Sequence, residues 1–428
     1  MSRVLLLGAS GLIGSAVLAR LVKHGREVTA VARRPGADLP GVEWVELDIA
    51  AATSPLDWRP HLAGVEAVVN CAGVLQDAPG DHTQGVHVDG VAALYRACED
   101  GGPRRIVHLS AIGADRGALS PFSATKKAGE DALTSRDLDW VILRPSVVVG
   151  RPAGGGSALL RGLAGLPAIP DPPDAGPLQI VQLDDVVDTI LFFVEPSTPA
   201  RIALDVAGPE RLAFGDAVLA FRRWLRFRPA RRARFPRWLM ALAYRLGDFA
   251  ALLGWRTPIR TTARHELVRG AIGDPSAWIA TTGIAPQRLA DALAAEPASV
   301  QERRFARLYF LKPVVLAVLA AFWILTGVIS LGPGWEIGLE YMERGGVGAL
   351  AAPGVVAGAV ADIVIGIGIA VRRTAVPALW AAVVLSVFYL VAGTILLPSL
   401  WTDPIGPMMK IWPIIALNLV ALAIVDDR

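Results

Sequence analysis

Three stretches in the last quarter of this 428-residue chain carry almost no charge: Val314 to Leu331 has 18 residues and none, Ala352 to Val371 has 20 with only Asp362, and Ala375 to Leu397 has 23 and none. A helix rises ~1.5 Å per residue, so each run is long enough to cross a hydrocarbon core of ~30 Å. Ile411 to Val425 counts 15 residues. It needs the Ile405 to Met409 stretch ahead of it, or a locally thinned bilayer. A single helix this apolar could lie buried in a soluble core, but four such runs in succession with almost no polar face argue against it. Four membrane spans are therefore expected, at about 314–331, 352–371, 375–397 and 405–425. Arg303, Arg304, Arg307, Lys312, Arg372, Arg373 and Arg428 flank them on one side, against Arg344 and Lys410 on the other. That asymmetry predicts an inner-membrane protein with both termini in the cytoplasm.

The remaining two thirds read differently. With 53% apolar and 19% charged residues overall, a disordered or solvating chain is excluded. The net charge of +3 is too nearly balanced for a surface built all over to hold nucleic acid. Two cysteines, Cys71 and Cys98, form no C-x-x-C and give neither a disulfide framework nor a zinc site. Short β-rich runs, Val4 to Leu7, Glu27 to Ala32, Val42 to Leu47, Ala67 to Asn70, Arg105 to Leu109 and Trp140 to Leu143, alternate with helical patterns. This order predicts an α/β doubly wound parallel sheet.

After the first run comes Gly8-Ala9-Ser10-Gly11-Leu12-Ile13-Gly14, then a helical stretch to Lys23 that His24-Gly25 would stop. The three glycines interrupt the apolar run and no convincing cleavage site follows, so a strand, a turn and a helix are expected here rather than a secretory leader. Glycines at this spacing let backbone approach a pyrophosphate over the exposed N–H groups of a helix N-terminus. At the end of the second strand, where an acid would hold the ribose hydroxyls of NAD, the chain has Arg33-Arg34. The pair predicts NADP(H) as the preferred cofactor with NAD(H) as the alternative, the bland reading being a solvated basic loop.

Gly8 to Gly14, Asp48 after the third strand, Asn70 to Gly73 after the fourth, Ser110 after the fifth, Lys126, Arg144-Pro145-Ser146 after the sixth and Asp184-Asp185 on a later helix resemble the short-chain dehydrogenase/reductase superfamily. The similarity covers about residues 1 to 215 and leans toward the atypical branch that includes the nucleotide-binding accessory subunit of respiratory complex I. It implies a Rossmann fold whose cofactor is held by Gly8, Ser10, Gly11, Leu12, Ile13, Gly14, Arg33, Arg34, Asp48, Ile49, Cys71, Ala72, Gly73, Lys126 and Pro145. In this resemblance Asp48 meets the adenine and Lys126 the nicotinamide ribose.

A standard member carries Tyr-x-x-x-Lys, with the phenol as acid/base and a serine about 12 residues earlier on the substrate carbonyl. Here Ser110 is followed by Phe122-Ser123-Ala124-Thr125-Lys126. Phenylalanine holds no transferable proton, and Tyr95, Tyr244, Tyr309, Tyr341 and Tyr389 are all distant in sequence. Three readings stay open: Lys126 donates the proton, as the resemblance to the isoflavone-reductase-like branch allows; another residue or a water does; or nucleotide is bound without turnover.

Between Arg222 and Arg237 eight arginines stand without an acid, interleaved with Trp224, Phe227 and Phe235. Beside a membrane domain this composition predicts a segment lying on anionic headgroups rather than on protein or nucleic acid. Residues 300 to 428, with Gln301 to Tyr309 ahead of the first span, resemble the DoxX-like membrane family, which in some members is associated with quinone or thiol redox chemistry. Within the second span, Asp362 shares a face with Gly354, Gly358 and Gly366. It reads as a proton or quinol site, or as a hydrogen-bonded glue between helices with Thr326, Tyr389, Thr394 or Asn418 as partner.

The expected organisation is a nucleotide-binding domain over 1–213, a helical, basic, substrate-covering and membrane-proximal region over 214–299, and an all-α transmembrane domain over 300–428. The expected function is NADP(H)-dependent oxidoreduction of a lipid-soluble carbonyl, enone or quinone, with Lys126 and Ser110 as catalytic groups. The alternative is a non-catalytic nucleotide-binding scaffold or redox sensor of a membrane-protein complex.

Overall fold

The computed structural model describes residues 3–117, 120–172, 174–255 and 257–425. Arg428, counted above among the span-flanking cations, lies outside them. Internal contacts divide the chain into two units, Met1–Phe249 with Thr257–Ala306, and Ala250–Arg256 with Arg307–Arg428. The region expected over 214–299 thus contributes to both.

The strands of the first unit are β1 (Arg3–Leu7), β2 (Glu27–Ala32), β3 (Val42–Glu46), β4 (Val65–Asn70), β5 (Arg105–Leu109), β6 (Asp139–Pro145), β7 (Val147–Val149), β8 (Ala168–Pro170), β9 (Ile180–Gln182), β10 (Ile202–Val206) and β11 (Arg231–Ala233). Seven form one parallel sheet in the order β10-β6-β5-β4-β1-β2-β3; β7 pairs β9, and β8 pairs β11. Parallel strands covered on both faces need continuous apolar runs, which Val4 to Leu7 and Ala67 to Val69 supply. Val4 and Leu6 pack with Val17, Leu21, Ile190 and Phe193 on one side, and Leu5 and Leu7 with Trp58, Leu94 and Ile106 on the other. The chain order reverses between β1 and β4, so the loops after these strands flank a switch point, where doubly wound sheets bind their ligands.

Beyond β10 come the helices Phe214–Trp224, Arg237–Leu252, Thr261–Arg269, Ser276–Thr282 and Leu289–Ala295. Of the eight arginines Arg222 alone turns inward, and the other seven are exposed. Arg222 is buried and donates to the carbonyls of Ala164 (2.8 Å), Leu166 (2.6 Å) and Arg228 (2.6 Å), while Arg232 pairs with Asp216.

In the second unit four helices, Leu311–Leu331, Ala351–Ala370, Ala375–Leu396 and Pro407–Val425, are long and apolar enough to cross a membrane. The second packs on the first and third, and the fourth on the third and first. The first two approach closely because neither carries a side chain at the crossing: a Cβ on Gly366 would lie 2.8 Å from the Ala320 carbonyl oxygen, and one on Gly327 2.3 Å from that of Ala359. Asp362 is buried and accepts from the Tyr389 hydroxyl at 3.1 Å. Thr326, Thr394 and Asn418 donate instead to carbonyls one turn back in their own helices.

Candidate functional site

The turn after β1 has the shape its glycines allow. Gly8 sits at φ +72°, and a Cβ there would lie 2.9 Å from the backbone of Ala72 in the loop after β4. A Cβ on Gly14 would lie 2.1 Å from the Gly8 carbonyl oxygen, so helix Leu12–Lys23 starts hard against the strand end. The Gly11 N–H closes the turn onto that oxygen at 2.9 Å. Leu12 and Ile13 head the helix with no acid in its first turn, and their N–H groups have no intrahelical acceptor. Ser10 is exposed beside them. An anion is favoured here by dipole and by donors, and a dinucleotide pyrophosphate fits.

At the end of β2, Arg33 pairs with Asp81 at 2.8 Å and donates to the Gly80 carbonyl. Arg34 is exposed. The exposed Asp48 accepts the Ala50 N–H at 3.1 Å, shaping the loop after β3, and Ile49 is buried behind it.

The loop after β4 is held from below. Asn70 Oδ1 accepts the Ala72 N–H at 3.0 Å, while its Nδ2 donates to the Tyr95 hydroxyl (3.2 Å) and to His108 Nδ1 (3.0 Å). The Tyr95 hydroxyl donates to the same His108 nitrogen at 2.9 Å. Tyr95 and His108 are both buried, so Tyr95 is a fixture of the core rather than a free proton donor. Cys71 is half-buried, and burial pushes its thiol up to about 12.

Lys126, on helix Pro121–Thr134, joins this loop to β5. Its Nζ donates to the carbonyls of Ala72 (3.2 Å) and Leu109 (3.0 Å), leaving a third N–H. Burial lowers its pKa to about 8, against the opposing pull of Cys71 and Glu130. Ser110 follows Leu109 directly; its Oγ is buried and has no partner among the described residues. Pro145, at the end of β6, accepts the Ile112 N–H on its carbonyl at 3.1 Å and so orders the stretch after Ser110. Arg144 is committed to Glu130 (2.7 and 2.9 Å) and Asp115 (2.6 Å).

Phe122 lies one turn before Lys126 on the same helix. Its ring meets His87 edge-on at 5.6 Å. His87 lies in a π-helical turn, Gly85–Asp89. The Thr125 hydroxyl donates to the Phe122 carbonyl (2.9 Å) and accepts from His87 Nδ1 (2.8 Å), and His87 Nε2 accepts the Val74 N–H (3.1 Å). These partners require the neutral Nδ1–H tautomer, and burial lowers the His87 pKa to about 2. From helix Thr261–Arg269, Glu266 accepts from the hydroxyls of Ser120 and Ser123, while Arg269 donates to Ser123 Oγ (2.7 Å) and to the carbonyls of Ile112 and Gly113 (both 3.3 Å). The two therefore clamp both ends of the loop between Ser110 and Phe122. Sequence reading missed His87, Glu266 and Arg269, none of which has a local signature.

A phosphate cradle at a switch point, with a buried lysine beside the next strand, defines a Rossmann-type nucleotide-binding domain. Residues 8–165 match the NAD(P)H-binding family and residues 320–419 the DoxX-like family, so the chain joins an NAD(P)-binding Rossmann domain to a DoxX-like membrane domain. An uncharacterized protein of Mycobacterium tuberculosis is 28% identical over 226 residues, 52% of this chain. The chain spans only 23% of that relative's length. A ceramide reductase of Caulobacter vibrioides is 25% identical over 194 residues, 44% of this chain and 60% of that one. Among solved structures, a short-chain dehydrogenase/reductase superfamily protein of Agrobacterium tumefaciens with bound NAD aligns with TM-score 0.54 at 19% identity, over 71% of this chain and 98% of its own. MoeE5 in complex with UDP-glucuronic acid and NAD aligns with TM-score 0.53 at 20% identity, over 71% and 99%. The chain shares the fold of these NAD-bound structures.

Proposed function

We propose that the chain is a membrane-anchored oxidoreductase that uses NADP(H) to reduce an apolar, lipid-dissolved carbonyl, enone or quinone. One observation carries the reading: Lys126 spends two N–H groups on the carbonyls of Ala72 and Leu109 and keeps a third, and Leu109 directly precedes Ser110, whose hydroxyl has no partner among the described residues. The reduced nicotinamide, when bound, supplies a hydride to the substrate carbon. Ser110 donates a hydrogen bond to the carbonyl oxygen, and Lys126 transfers the proton that completes the alcohol, the part a tyrosine would play. Gly8, Ser10, Gly11, Leu12, Ile13 and Gly14 cradle the pyrophosphate; Arg33 and Arg34 take the 2′-phosphate; Asp48, Ile49, Cys71, Ala72, Gly73 and Pro145 line the remainder. Four helices in the same chain that are long and apolar enough to cross a membrane support a substrate that dissolves in lipid, and the ceramide reductase among the relatives is named for a lipid substrate. The nucleotide-binding half works on the cytoplasmic side of the inner membrane, in contact with anionic lipid.

Phe122 supports a second reading, a nucleotide-bound scaffold of a membrane complex. The full chain in nanodiscs, given NADPH and a panel of quinones, enones and long-chain ketones, decides between them. Turnover lost in Lys126→Met and cut about 10- to 100-fold in Ser110→Ala supports the enzyme. Tight cofactor that never oxidises, with membrane partners that co-purify, supports the scaffold.

A further inference from the structure

The helix Arg237–Leu252 carries a stripe of large apolar side chains that nothing in the described chain covers. Trp238, Leu242, Leu246 and Phe249 recur at helical spacing on one face, with Leu239 and Leu252 at its edges. Trp238 is 68% exposed, Leu246 and Phe249 59% and Leu252 75%. The opposite side is already committed. A Cβ on Gly247 would lie 1.7 Å from the Ile259 carbonyl oxygen, and Asp248 accepts from Arg260 Nε (3.2 Å) and the Thr261 N–H (3.3 Å). The stripe cannot turn inward without breaking those contacts.

Two observations say what covers it. Arg231 and Arg234 stand exposed just ahead of the helix, Arg237 stands exposed at its first position near Asp174 at 3.6 Å, and Arg245 stands exposed within the stripe itself, its long stem able to carry the charge out to the headgroups. Basic residues leading into and set among an aromatic and leucine stripe match an anionic bilayer surface, whose headgroups take the charge and whose acyl boundary takes the apolar face. The chain then continues into the membrane unit. Leu253 accepts the Arg372 N–H at 3.0 Å, Trp255 Nε1 donates to the Ala370 carbonyl at 2.7 Å, and the Arg372 guanidinium lies 5.2 Å from the centroid of the Trp255 ring. Ala370 is the last residue of the second membrane helix, and Arg372-Arg373 follow it. The amphipathic helix thus ends at the level where a spanning helix leaves the hydrocarbon, which is the level of the interface.

We propose that Arg237–Leu252 is an interfacial helix lying in the plane of the bilayer surface, its Trp238 to Leu252 stripe sunk to the acyl boundary and its arginines on anionic headgroups. This goes beyond the reaction proposed above and does not depend on it. The test uses the full chain in vesicles of phosphatidylcholine and phosphatidylglycerol containing a lipid with a shallow acyl-chain diazirine. After photolysis, mass spectrometry should find adducts on Trp238, Leu242, Leu246 or Phe249 as well as on the four membrane helices. In the Leu246→Glu/Phe249→Glu variant the adducts on this helix should fall several-fold while those on the spans persist. Adducts confined to the spans would overturn the proposal, as expected if a second copy or another protein covers the stripe. Labelling of the stripe that the glutamates leave unchanged would overturn it equally.

Discussion

Lys126 donates from Nζ to the Leu109 carbonyl at 3.0 Å, which ties the buried ammonium to the residue immediately before Ser110. One bond thus links helix Pro121–Thr134 to the end of β5, immediately before Ser110. With its pKa lowered to about 8 by burial, Lys126 is protonated at neutral pH and releases its proton more readily than a solvated lysine. If it is the acid, NADPH oxidation is highest below about pH 8 and falls roughly tenfold per unit above it. A rate profile flat from about pH 7 to about pH 10, roughly one unit below that value to two units above it, would exclude Lys126 as the donor.

Arg33 already has a partner in Asp81, so a 2′-phosphate must share or take that guanidinium. Arg33→Ser should weaken NADPH binding by about 1–2 kcal/mol, roughly 5- to 30-fold, and leave NADH almost untouched. Calorimetric titration of the full chain with both nucleotides reads this directly. Equal losses for the two would mean that Arg33 only holds the Gly80–Asp81 turn.

His87 and His108 are neutral inside the fold, with pKa values pushed down by burial to about 2 and about 3. In the unfolded chain both titrate near the usual 6.5, so below that value the unfolded state binds more protons than the folded one. Their contribution is intact above pH 6.5 and erodes as the pH falls, by up to about 1.4 kcal/mol per unit for each ring until the folded values are reached. Hydrogen exchange of β5 between pH 7 and pH 4 should show opening at acid pH, and His108→Gln should flatten the trend. Protection unchanged down to about pH 4 would contradict it.

The Tyr389 hydroxyl bonds Asp362 between the third and second membrane helices. If this is glue, Tyr389→Phe should lower resistance to denaturing detergent by about 0.6–1.7 kcal/mol and leave NADPH oxidation intact. Loss of turnover with stability unchanged would mark the pair as part of the chemistry instead.

How much of this was legible in the chain follows from the range over which each feature acts. The strand runs, the Gly8 to Gly14 turn and the four apolar helices are local, and each could be read within about a twenty-residue window. Lys126 and Ser110 were found by their order along the chain. His87 was not, because its role arises only when a π-helical turn brings it against Val74 and Thr125. Glu266 and Arg269 reach residues well over a hundred positions upstream, beyond any periodicity. The run of arginines looked like one surface because composition cannot tell Arg222, which holds buried carbonyls together, from its exposed neighbours.

Residues 250–256 group with the membrane helices although the chain on both sides of them belongs to the sheet unit. The natural place to cut the protein for a soluble fragment, just before the first span, would therefore leave Leu253 and Trp255 without Arg372 and Ala370. Such a fragment would display a fresh indole and an orphaned carbonyl. Its stickiness in solution would reflect where the scissors fell, not how the intact molecule behaves.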